Sequence, residues 1–173
     1  SVNSLISTAI QHEKLFSMIL WGPPGSGKTT LAKIISQSCN YAYYELSAVS
    51  SGVKDLRKVL EKGKEYTLLN KPVLLFIDEI HRYSKSQQDS LLHGVEQGIV
   101  TLIGATTENP SFEIISPLLS RCRVLKLTGH SIEELEIILI HAIKTDIILV
   151  KMAIKINPKA KNILLNSAGG DAR

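Results

Sequence analysis

The chain opens with apolar residues at helical spacing, Leu5, Ile6, Ala9 and Ile10, then switches to an unbroken apolar run, "FSMILW", closed by a glycine-proline turn. That change of period predicts a helix followed by a buried strand. The alternation continues. "KTTLAKIISQS" returns to helical period, "YAYYELS" is rich in β-prone residues, and "VKDLRKVLEKGK" is helical again, with Gly63 read as its stop. "PVLLFI" is a continuous apolar strand that a proline can begin but not interrupt. "SQQDSLLHGVEQG" predicts a helix, "IVTLIGA" a strand, "PLLSR" a short helix with Pro117 in its first turn, and "RVLKL" a last strand. Strands that alternate with helices, several of them apolar throughout, belong to a parallel sheet sandwiched by helices, so the fold class is α/β.

After Leu127 the texture changes. Ser131 with Glu134 three positions on is a capping box that opens "IEELEIILIHAIK", and Asn157-Pro158 starts another helix that ends at Gly169-Gly170. No strand is predicted there. The expected organisation is therefore a sheet-bearing core over residues 1–128 and the beginning of an all-helical unit over 129–173. Internal repeats and low-complexity tracts are absent from the sequence.

A length of 173 residues gives room for one full core and the start of a second, smaller unit. The chain begins inside a predicted helix and stops at Arg173, so it reads as an excised domain. Its longest apolar runs, such as residues 137–140 and 147–150, fall far short of the roughly 18 residues of a membrane helix, and no signal peptide is recognised, so no membrane partner is expected. Cys39, Cys122 and five scattered histidines lack metal-ligand spacing, which points to a reducing, intracellular setting and away from structural zinc. A net charge of +4 permits a nucleic-acid partner without demanding one.

The chemistry starts at "GPPGSGKT", which fits G-x-x-x-x-G-K-[ST] and lies between an apolar strand and a helix, where a phosphate-binding loop must lie. Gly22, Pro23, Pro24, Gly25, Ser26, Gly27, Lys28, Thr29 and the following Thr30 form the expected nucleotide-binding set. Backbone amides turn inward around the β-phosphate, Lys28 reaches the β- and γ-oxygens of ATP, and Thr29 offers its hydroxyl to Mg2+. Asp78, ending the strand "LLFID", is the second Mg2+ group. Glu79 beside it is placed to orient and deprotonate a water, the alternative being an ion pair with a surface lysine. An acidic pair of this kind favours hydrolysis over transfer to a small substrate. The strand "TLIGA" delivers Thr106, Thr107 and Asn109 to the same edge of the sheet, where one of them could hold the water or the γ-phosphate, or all could simply build a turn.

"SMILWGPPGSGKTTLA", "FIDEIHRYSKSQQD", "TLIGATTENPSFE", "LLSRCRV" and the closing "GGDAR" together resemble the AAA+ ATPase core of the replication-associated recombination protein A family, known as RarA or MgsA in bacteria, with the Werner helicase-interacting protein as its eukaryotic counterpart. The resemblance runs from Ser17 to nearly the end of the chain. It implies a P-loop AAA+ core followed by the start of a helical lid. It further implies that Thr107 is the sensor 1 residue, Arg121 an arginine finger that reaches ATP on a neighbouring subunit, and Arg173 the sensor 2 arginine. The implied activity is DNA-dependent ATP hydrolysis in replication-fork maintenance, recombination and repair. The implied partners are DNA with single-stranded/double-stranded junctions or ends, further copies of the chain in a homo-oligomer, and replication proteins such as single-strand binding protein or polymerase. The location would be the nucleus in a eukaryote, or the nucleoid-bearing cytoplasm in a bacterium. The chain departs from the family at Tyr83-Ser84, where Phe-Asn is usual.

Two rival readings are a clamp-loader subunit, which shares the "SRC" finger, and an adaptor that binds ATP as a switch with little hydrolysis. Lys54, Arg57, Lys58 and Lys62 give one helix a basic side, and Arg82 and Lys85 follow the magnesium strand. Interspersed Asp55, Glu61 and Glu65 suit a solvated face as well as a DNA contact. Arg123 should point to the other face from Arg121 and serve structure. Cys122, between two arginines, is either a packing residue or a thiol of lowered pKa.

Overall fold

The computed structural model describes residues 2–12 and 14–172, with side chains from Ile6 onward, so Arg173 and the Leu5 side chain lie outside the described residues. The alternation read from the sequence is realised as α1 (Val2–Gln11), β1 (Met18–Trp21), α2 (Lys28–Ser38), β2 (Ala42–Ser47), α3 (Val53–Leu68), β3 (Val73–Asp78), a 3-10 turn (Ile80–Arg82), α4 (Lys85–Glu96) and β4 (Thr101–Thr106). Two short helices, α5 (Pro110–Glu113) and α6 (Ser116–Ser120), lead to β5 (Arg123–Lys126), and α7 (Ile132–Thr145), α8 (Ile147–Lys151) and α9 (Pro158–Ala168) follow. Among the described residues the sheet has five parallel strands in the order β2-β3-β4-β1-β5.

Both faces of the sheet are dry because its central strands are apolar at nearly every position. Ile19, Leu75, Ile77 and Leu102 face Leu56 and Val59 of α3, Leu91 of α4 and Leu118 of α6. Their strand neighbours Met18, Leu20, Leu74, Phe76 and Ile103 face Ile6 of α1 and Ala32 and Ile35 of α2. The period of two along each strand thus divides one run into two cores.

Gly63 does not stop α3, which continues five residues further to Leu68. Its role is close packing: a Cβ at this position would stand 2.6 Å from Ile99 Cγ2 and 3.0 Å from the Ile99 carbonyl oxygen. Helix α3 passes the β4 lead-in at that point with no room for a side chain. Gly63→Ala would gain about 1 kcal/mol of helix propensity against an overpacking cost of about 1–3 kcal/mol. We expect a net loss near ~1 kcal/mol, read as a lower urea midpoint with unchanged slope.

Helices α5 and α8 add to the sequence reading. Both begin where a polar side chain caps backbone amides: Asn109 accepts from Ser111 N at 3.1 Å, and Asp146 accepts from Ile148 N and Leu149 N at 2.9 and 3.0 Å. Ser131 and Glu134 form the expected capping box on α7. Ser84 and Gln87 form another on α4, so the serine that departs from the family pattern still caps its helix.

The chain divides into two compact units. The first takes in residues up to Gly22 together with Lys28–Leu127; the second takes in Pro23–Gly27 and the residues from Thr128 onward. The expected boundary treated the core as contiguous, whereas Pro23–Gly27 group with the C-terminal unit. There, Gly25 lies so close to Asp171 that a Cβ would overlap the carboxylate. In the same unit, Lys161 pairs with Glu136 to join α9 to α7. Gly129, His130, Leu135, Leu165, Gly169 and Gly170 line a pocket of about 420 Å3.

Candidate active site

Parallel pairing brings the ends of β1, β3 and β4 to one edge of the sheet. Trp21 pairs with Thr106, and Gly22 N donates to the Thr106 carbonyl at 3.2 Å. A Cβ at Gly22 would overlap the Leu127 carbonyl oxygen, so only glycine lets the strand leave here. Lys28, the first residue of α2, is buried, and its Nζ donates to the Gly22 carbonyl at 2.9 Å. The ammonium is thereby held at the exit of β1, on the carboxyl edge of the sheet. Within the loop, Ser26 is buried and its Oγ donates to the Pro23 carbonyl at 2.8 Å. Gly25 and Gly27 take φ values of 68° and 82°, the left-handed region that a side chain would strain. Pro23, Pro24 and Thr30 are exposed and Thr29 is half-buried.

Asp78 occupies the last position of β3, paired with Ser47. Its carboxylate and the Thr29 hydroxyl are hard oxygen donors of the kind Mg2+ takes. No cluster of three or more His, Cys, Asp or Glu able to cage a metal occurs among the described residues. One carboxylate with one hydroxyl fits an ion that draws its other ligands from water and phosphate.

Glu79 adopts a left-handed backbone, φ 51° and ψ 45°, unusual for a residue with a side chain. The turn is fixed by Arg82 N donating to the Glu79 carbonyl at 2.8 Å. Its carboxylate is held by neighbours across the sheet edge. Oε2 accepts from Thr107 Oγ1 at 3.4 Å and lies 3.3 Å from His81 Nδ1. The two residues expected to handle the water and the γ-phosphate are thus brought together across β3 and β4. The other polar groups of "TTEN" separate by role: Thr106 is fully buried and Asn109 caps α5.

Arg121 stands elsewhere. It caps the C-terminus of α6, two residues before β5, whose first residue pairs with the first residue of β1. That is the amino edge of the sheet. Four strand residues, roughly 13 Å at about 3.3 Å each, separate it from the carboxyl edge, more than an arginine side chain spans. Its guanidinium is exposed and donates through Nε and Nη2 to one oxygen of Glu96, at 3.1 and 2.9 Å. Arg123 lies over the Phe16 ring, 4.5 Å from its centroid, a structural contact. Cys122 packs against the core, and burial pushes its thiol up to about 12, so it is a packing residue with no thiolate character.

Two residues were missed as individuals. His81 is almost fully enclosed beside Glu79, and the sequence carried it only inside the "IHR" signature. Gln88 is buried, donates from Nε2 to the Tyr83 and Glu113 carbonyls at 3.0 and 3.1 Å, and accepts from Ile115 N at 2.9 Å. It ties α4 to the segment that leads into α6 and so fixes the approach to Arg121. On α3, Lys54, Arg57 and Lys58 are outward-facing, and Lys62 pairs with Glu65 at 3.1 Å, as on an ordinary solvated face.

Residues 18–129 match the family described as "ATPase family associated with various cellular activities (AAA)". Over 169 residues the chain is 46% identical to the ATPase WRNIP1 of Dictyostelium discoideum, covering 98% of this chain and 19% of that protein. Over 136 residues it is 50% identical to the replication-associated recombination protein A of Escherichia coli K12, covering 79% of this chain and 30% of that one. The chain therefore spans less than a third of either relative. The Holliday junction branch migration motor RuvB of Thermotoga maritima superposes with a TM-score of 0.77 at 31% identity, over 99% of this chain and 57% of that one. A likeness that close, carried along almost the whole length of a chain that holds the G-x-x-x-x-G-K-T sequence after β1, an acidic end to β3 and Thr107 just beyond β4, leads to one assignment: the chain belongs to the AAA+ ATPases, in the family of replication-associated recombination protein A and WRNIP1.

Proposed function

We propose that this chain is the ATP-hydrolysing part of a DNA-dependent ATPase of replication, recombination and repair, in which each site takes its arginine from a neighbouring subunit. The observation that carries the reading is the Thr107–Glu79 contact at the end of the sheet edge that begins with Gly22 and Lys28. In this reading residues 1–128 are the nucleotide-binding core and residues from 129 open a helical lid, to which Arg173 would contribute a sensor. The loop Gly22–Thr30 binds ATP, and Lys28 neutralises the β- and γ-phosphates. Asp78 and Thr29 would hold Mg2+, which would supply charge neutralisation for the phosphates. Glu79 orients and deprotonates the attacking water, and Thr107 donates to the γ-phosphate or to that water.

The position of Arg121 supports catalysis in trans, since it lies where the chain enters β5, at the edge away from Gly22 and Lys28, and is exposed. A head-to-tail homo-oligomer would bring it to the next subunit's ATP. DNA junctions or ends, together with single-strand binding protein or a polymerase, are the proposed partners, in a nucleus or in a bacterial nucleoid. No helix among the described residues is long and apolar enough to cross a membrane. The test is phosphate release by the full-length protein as forked DNA is added. Turnover that rises with DNA is expected. Turnover indifferent to DNA would remove the DNA-dependent part, and ATP binding without turnover would turn the reading toward the nucleotide-switched adaptor.

A further inference from the structure

His81 has no part in the chemistry above, yet its ring joins the two strands that carry it. The side chain is 8% exposed, sits in the 3-10 turn after β3, and places Nδ1 at 2.9 Å from Thr106 Oγ1 and 3.3 Å from Glu79 Oε2. The protons in this cluster can be assigned. Thr106 is fully buried at the end of β4, and its hydroxyl oxygen accepts from Glu108 N at 3.0 Å and donates to the Glu108 carbonyl at 3.3 Å. A hydroxyl has one proton and two lone pairs, so Thr106 has one lone pair left to offer His81. Glu79 offers only lone pairs. The tautomer that fits these neighbours carries its proton on Nδ1, directed at Thr106 Oγ1; with the proton on Nε2 alone, a bare nitrogen lone pair would lie 3.3 Å from the carboxylate.

We propose that His81 is a positioning residue: its ring, hydrogen-bonded through Nδ1 to Thr106 Oγ1 and 3.3 Å from Glu79 Oε2, holds the Glu79 carboxylate beside the strand that carries Thr107. This rests on the reading of Glu79 as the general base. The consequence lies in the neighbouring contact. The Thr107 hydroxyl has a single proton, donated here to Glu79 Oε2, and cannot give it to Glu79 and to a phosphate oxygen at once. His81 is the polar neighbour that stays beside Glu79 when Thr107 turns to the phosphate.

The test uses full-length protein with His81 replaced by Ala, Asn or Gln, and Glu79→Gln measured alongside. An asparagine amide nitrogen can stand where Nδ1 stands, whereas a glutamine amide stands nearer Nε2. His81→Ala and His81→Gln are expected to lower kcat about 10- to 100-fold, the cost of a misplaced group, while ATP affinity changes by no more than about twofold. His81→Asn is expected to recover most of that loss. If His81→Ala turns over like the wild type, or if Asn and Gln behave alike, or if ATP binding falls together with kcat in all three, the anchor role is overturned. Glu79→Gln separates the two layers: wild-type turnover by that variant would remove the general base itself, whereas its inactivity beside an active His81→Ala would remove only the anchor.

Discussion

Glu79→Gln is expected to lower ATP turnover about 10²- to 10⁴-fold, the range of a general base, with ATP binding intact. The substitution preserves shape, so the amide oxygen can still accept from Thr107 and lie beside His81, and the turn held by Arg82 N is untouched. What it removes is the ability to take a proton from water. Lys28 and the loop Gly22–Thr30 do not depend on it, so nucleotide should be captured and held. Binding of a fluorescent ATP analogue together with phosphate release separates the two. A protein that bound ATP only as a switch would show little change in either.

Arg121→Ala has the largest expected effect, because a finger arginine can account for about 10³- to 10⁵-fold in rate. The effect should be confined to rate. Arg121 is exposed, and its pair with Glu96 is a surface ion pair, so folding stability should fall by less than about 1 kcal/mol. ATP affinity of each subunit's own loop should persist, since Arg121 stands at the opposite edge of the sheet. A thermal melt close to that of the wild type beside a collapse of turnover would separate this role from a structural one. A large loss of stability would instead make the Glu96 pair its purpose.

Those two residues differ in how well the sequence announced them. The placement of Glu79 was legible because two adjacent carboxylates closing an unbroken apolar strand stand at the carboxyl edge of a parallel sheet, and the G-x-x-x-x-G-K-T pattern marked the exit of β1 at the same edge. The sheet was legible for a related reason: strands apolar on both faces must be parallel and covered. Gly63 was not, because a glycine in a helical run looks the same whether it ends the helix or lets Ile99 approach it. His81 and Gln88 were not, because their partners Thr106, Glu113 and Ile115 lie some two dozen residues away and meet them only through sheet pairing and helix packing. Arg121 was known only by resemblance. Its local sequence does not show that it stands where the chain enters β5, at the edge opposite Gly22 and Lys28, a consequence of β5 running parallel to β1.

The central claim is that one subunit's arginine completes another's site, and the most direct measurement is ATP turnover, with forked DNA present, by an equal mixture of full-length Glu79→Gln and Arg121→Ala proteins. Each is expected to be inactive alone. Random assortment across a head-to-tail interface restores a pocket with Glu79 facing an intact Arg121 at roughly a quarter of the sites, so activity should return on mixing and grow with the fraction of mixed assemblies. Absence of any recovery, with co-assembly of the two variants demonstrated, would contradict the shared site and confine Arg121 to its own subunit.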